Sequence, residues 1–80
     1  MKKMNDPCNR IIGGNIRRIR RDKKSVGVKM GPQHIAKHID VSTQQVSKYE
    51  VGKNRIPAST LFRIAQCLEV RVEDLFEGCQ

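Results

Sequence analysis

The chain has 80 residues, enough for one small domain with a modest core and little stability to spare. It carries 16 Lys/Arg against 8 Asp/Glu and only three aromatic residues, Tyr49, Phe62 and Phe76, so its core must be aliphatic and its surface strongly basic. No apolar run is long enough to cross a bilayer and no two cysteines stand in a CxxC pair, which excludes a transmembrane span and a small metal-stapled fold.

Residues 1–9, with Asp6-Pro7 breaking any helix, are expected to form a flexible arm. Lys2 and Lys3 precede no apolar stretch, so no signal peptide is expected and the chain should stay in the cytoplasm. Ile12, Ile16 and Ile19 then recur at helical spacing and predict helix 1 over 10–23, weakened in its first turn by Gly13 and Gly14. Residues 23–31 have no amphipathic pattern and read as a loop. Pro32, with Gly31 just outside, opens helix 2; Ile35, Ala36 and Ile39 are its buried face, and Asp40 ends it. Ser42 and Gln45 make an S-x-x-Q capping box for helix 3, over about 43–51, in which Val46 and Tyr49 point inward and Gly52 terminates. Leu61, Ile64, Ala65 and Leu68 define helix 4 over 58–68. Val72, Leu75 and Phe76 define a short helix 5, with Phe76 closing the core or a dimer contact. The fold class is all-α, a compact five-helix bundle: an arm over 1–9, one domain over 10–77 and a tail over 78–80.

Charge is uneven along the chain. Residues 1–30 hold ten basic and two acidic residues, 31–55 four and two, 56–80 two and four. The N-terminal side therefore suits a polyanion. Cys8, Cys67 and Cys79 are expected as free thiols in a reducing compartment. His34 and His38 stand four apart on helix 2, but with no third ligand in view solvated histidines are expected, and no metal or cofactor is implied. His34 could instead touch a phosphate. No nucleophile–base arrangement or phosphate-binding glycine loop is found, so the chain reads as a non-enzyme.

Helices 2 and 3 are separated by only three residues, 40–42, which forces a sharp angle between them. A small residue, Ala36, suits their close crossing, and Val46 suits locking helix 3 onto helix 2. At this point the sequence resembles the phage-repressor and Cro-type (XRE-like) helix-turn-helix family, over residues 12–76. The motifs are "IGGNIRRIR" in helix 1, "HIAKHIDVSTQQVSKYEVGK" in the bihelical unit and "LFRIAQCLEVRVEDLF" at the end. It departs from the family pattern where Gly31 and Pro32 replace the usual cap and glutamine of helix 2, where Asp40 replaces the turn glycine, and in a longer loop after helix 1, from which Lys29 could reach DNA.

The resemblance implies a lambda-repressor-like domain that binds double-stranded DNA sequence-specifically, as a homodimer, to regulate transcription, most simply as a repressor. It implies that Thr43, Gln44 and Lys48 read bases in the major groove. Their chemistry fits: Gln bonds adenine N6 and N7, Lys donates to guanine, and Thr offers a hydroxyl and a methyl. Phosphate or groove-edge contacts are expected from Gln33, Ser42, Gln45, Ser47, Lys53, Asn54 and Arg55. Arg20 and Glu50 are expected to pair and brace helix 3, with Ala36 and Val46 as further structural support. The dimer surface is expected around helix 5, with Leu68 and Val72. Two rival readings are an antitoxin that uses DNA binding mainly for autoregulation and binds a partner toxin, and a non-specific polyanion binder acting through its basic N-terminus.

Overall fold

The computed structural model describes residues 7–25 and 30–79. Its elements are α1 (Pro7–Ser25), α2 (Pro32–Ile39), α3 (Thr43–Glu50), α4 (Ala58–Leu68) and α5 (Val72–Leu75), and no strand occurs among the described residues. The all-α, five-helix expectation therefore holds. α1 packs on α3 and α5, α2 on α3 and α4, and α4 on α5. One aliphatic core joins all five: Ile12 and Ile16, Ile35 and Ile39, Val46, then Leu61, Ile64 and Leu68, and Leu75. Each of these falls on the helical stripe that burial of one face requires.

α1 starts three residues before its predicted onset. Pro7 occupies its first position, where the missing N–H and fixed φ are harmless, so residues 7–9 belong to the helix and not to the arm. The remaining arm residues and the Lys29 segment lie outside the described residues.

The two glycines expected only to weaken α1 differ in role. Gly13 is buried where α1 crosses the end of α3; a Cβ there would stand 2.7 Å from the Glu50 carbonyl oxygen and closer still to that of Tyr49. It is therefore the residue that lets the two backbones touch. Gly14 faces open space.

Three helices end in the same way, with a left-handed residue and a bond reaching back five residues. In α2 the left-handed residue is Asp40 (φ 60°), and Val41 N–H donates to Ala36 O at 3.0 Å. After α3 it is Gly52 (φ 79°), with Lys53 N–H on Lys48 O at 2.9 Å. After α4 it is Glu69 (φ 59°), with Val70 N–H on Ala65 O at 3.0 Å. These closures satisfy carbonyls that the last helical turn leaves open. They also turn the chain sharply, which is how a three-residue link between α2 and α3 suffices.

Three expectations need correction. The cysteines are not three free thiols: Cys8 and Cys79 are joined as a disulfide, 71 residues apart with Cα atoms 5.3 Å apart, and Cys67 alone is free. The packing of α1 on α5 brings Cys8 and Cys79 together, which no local spacing reveals. Nor can Leu68 lie on a dimer surface, because it is wholly buried, and Val72 packs against the core. Leu75, not Phe76, closes the core; Phe76 is 37% exposed.

Asn15 fastens this end. Its Nδ2 donates to Leu75 O at 2.9 Å and to Glu77 O at 2.8 Å, satisfying carbonyls at the end of α5. The sequence carried a signal for it: Asn15 is a polar residue beside the apolar stripe of Ile12, Ile16 and Ile19.

Candidate nucleic-acid interface

α3 exists because Ser42 caps it and Val46 and Tyr49 anchor it. Ser42 Oγ accepts from Gln45 N–H at 3.1 Å. The reciprocal half of the predicted capping box is not made. The Gln45 side chain instead donates through Nε2 to Asn54 Oδ1 at 3.0 Å, tying the start of α3 to the loop that follows it. Val46 is 1% exposed and Tyr49 is buried, so the inward face is fixed.

The opposite face is polar and open. Thr43, Gln44, Ser47 and Lys48 are all exposed, and so are Lys53, Asn54 and Arg55 in the loop after the helix. Gln33 is exposed on the first turn of α2, its amide lying over Gly31. Ala36, 4% exposed, is part of the core where α2 meets α3 and α4. The fold thus brings the predicted base-reading residues onto one helix face, with the loop donors following directly.

The far end of α3 is bolted to α1. Arg20 Nε donates to Glu50 Oε2 at 2.8 Å and Arg20 Nη2 to Glu50 Oε1 at 3.0 Å, a two-point pair. A third donor, Arg20 Nη1, reaches Met30 O at 3.4 Å. Arg20 is thus occupied inside the protein.

Among the other arginines of α1 the structure discriminates. Arg10 is exposed, and its backbone abuts Gly52: a Cβ on Gly52 would stand 2.7 Å from Arg10 Cα. Arg10 is therefore neighbour to the Lys53–Asn54–Arg55 loop, a proximity the sequence did not disclose. Arg18 stands at the other end of the molecule's surface chemistry, 3.4 Å from Asn15 Oδ1 and 3.9 Å from Glu77.

His34 is engaged by its own helix, its Nδ1 accepting from Gly31 N–H at 3.1 Å. His34, His38, Lys37, Met30 and Cys67 line a shallow cleft between α2 and α4. Among the described residues no group of three His, Cys, Asp or Glu side chains is close enough to hold a metal ion. Burial pushes the Cys67 thiol above its usual range, making it a weaker acid than a free thiol. Among the described residues no helix is long and apolar enough to cross a membrane.

Comparison with known proteins points the same way. The family model for the helix-turn-helix matches residues 16–75. The chain is 46% identical over 46 residues to an uncharacterized transcriptional regulator in the ATPase CF(0) region of Rhodospirillum rubrum, covering 58% of this chain and 43% of that protein. It is 36% identical over 76 residues to an uncharacterized HTH-type transcriptional regulator of Sinorhizobium medicae, covering 95% and 51% respectively. It is 42% identical over 48 residues to another from Rickettsia conorii, covering 60% and 38%. The chain therefore spans about half, or less, of the length of the curated relatives it matches. No solved structure matches it significantly.

Proposed function

The chain belongs to the helix-turn-helix family of DNA-binding transcriptional regulators, and from that premise we propose that it binds duplex DNA sequence-specifically as a homodimer and represses transcription. α3 is the recognition helix. Thr43, Gln44 and Lys48 read base edges in the major groove. Gln33, Ser42, Ser47, Lys53, Asn54 and Arg55 hold phosphates or the groove edge and so set its register. Gln45 serves by pinning Asn54, which presents the loop at a defined distance from the helix.

The observation that carries this reading is the division of α3. One face is locked by Val46, Tyr49 and Glu50, and the other exposes Thr43, Gln44, Ser47 and Lys48 with the donor loop beside them. A helix gripped at both ends presents these groups from a backbone already ordered, so that binding has only the side chains left to order. The net charge of +8 adds attraction to any phosphate backbone. Dimerisation would double the few contacts that one module offers.

Selection of bound sequences from a random duplex pool tests the proposal. The expected product is a two-fold-related motif with half-sites about one helical turn, ~34–36 Å, apart. Recovery of unenriched sequence would defeat it and leave non-specific binding through the basic N-terminus.

A further inference from the structure

Every exposed residue on the reading face of α3 is polar until its last turn, where Val51 stands 56% exposed. Val51 follows Glu50 at the C-cap. Its N–H still donates to Ser47 O at 3.2 Å, so the chain is helical up to this point. At 3.6 residues per turn, a residue four after Ser47, seven after Gln44 and three after Lys48 lies on the same face as all three. A branched aliphatic side chain thus continues the line of Gln44, Ser47 and Lys48, where solvent would favour a polar group.

We propose that Val51 is a specificity-determining residue that packs on the C5-methyl group of a thymine. The inference rests on the reading of α3 as the recognition helix. The chemistry is narrow: in the major groove the only apolar group that a base pair offers is the thymine methyl. Val51 has no donor or acceptor in its side chain, so it cannot bond a base edge or a phosphate. It can gain only by removing apolar surface from water. Along the helix axis Val51 lies ~10 Å from Gln44, at 1.5 Å per residue, which is too far for the two to share one base. The methyl is therefore on a different base pair from the one that Gln44 contacts. Among the described residues, the other large apolar residues in the open, Phe62 and Phe76, belong to α4 and the end of α5.

The test replaces each thymine of a selected operator, one at a time, by deoxyuridine, which removes the methyl and nothing else. At one position per half-site the unmodified protein should lose about fourfold in affinity, the effect of exposing one methyl-sized group. Val51→Ala should bind the thymine and uracil operators alike at that position, and Val51→Thr, which keeps a methyl, should retain the preference. Because the side chain is exposed, both variants should melt with the parent protein. Equal losses in the parent and in Val51→Ala at every thymine, or no loss at any thymine, would overturn the inference alone. A pool that yields no motif would instead overturn the regulator reading, and this inference with it.

Discussion

Glu50 closes α3 on an arginine thirty residues earlier, and the side chains of that pair, Arg20 and Glu50, are only 12% and 7% exposed. Water is excluded from a pair that fixes the angle between α1 and the candidate recognition helix. Removing one partner leaves the other charged and buried. Arg20→Ala or Glu50→Ala should therefore each cost about 3–5 kcal/mol in urea unfolding. Replacing both, Arg20→Ala with Glu50→Ala, should cost less than the sum of the two single changes. A double variant as unstable as the sum of the singles would show that the two do not act as a pair.

The adjacent glycines of α1 should respond oppositely to alanine. Gly14→Ala fills open space on an exposed helical turn and should stabilise by about 1 kcal/mol. Gly13→Ala would push a methyl into the Tyr49 and Glu50 carbonyls, so α3 must shift and the protein should lose stability. Melting of the two variants side by side checks both signs.

Asp40 and Glu69 hold left-handed conformations that cost an ordinary L-residue on the order of 1 kcal/mol. Glycine at either place should raise stability, by up to about 0.5 kcal/mol after its larger unfolded-state entropy is counted. Glu69→Gly should gain more than Asp40→Gly, because aspartate tolerates this region better. Denaturant midpoints resolve differences of this size.

The Cys8–Cys79 bond closes a loop of 71 residues' separation, nearly the whole chain. A cross-link of that span removes enough unfolded-state freedom to contribute about 4 kcal/mol. Thermal melts with and without a thiol reductant should differ accordingly, and Cys8→Ser should abolish the difference. Cys67, whose thiol burial makes a weaker acid, should meanwhile react with alkylating agents more slowly than a free thiol near neutral pH, and faster as pH rises.

On DNA, two variants should separate base reading from backbone grip. Gln44→Ala should relax one position in each half-site. Arg55→Ala should weaken all sequences alike and reduce the slope of log affinity against log salt by about one per protomer. Titrations at several salt concentrations, on matched and scrambled duplexes, distinguish the two effects.

The onset of α2, the extent of α4 and the three-residue turn could be read from the sequence because each rests on a local signal. Pro32 after Gly31, the apolar stripe of Leu61, Ile64, Ala65 and Leu68, and Ser42 before Gln45 are all decided within one or two helical turns. The polar face of α3 was legible for the same reason, since inward and outward positions follow from a 3.6-residue period. The Arg20–Glu50 pair was legible only through family resemblance.

What needed the tertiary structure were relations between residues far apart in the chain. Sequence composition suggested three separate thiols, and only the packing of α1 against α5 joined Cys8 to Cys79. The capping box predicted one partner for Gln45, and the path of the following loop supplied another, Asn54. Gly13 read as a weak helical residue until α3 was laid across it, and Arg10 as one arginine of many until Gly52 was set against its backbone. The chain's own periodicity determines which side of each helix is buried, because that depends on neighbours within a few residues. Which helix meets which surface is decided by the fit of all five faces at once, and that information lies in no single stretch of sequence.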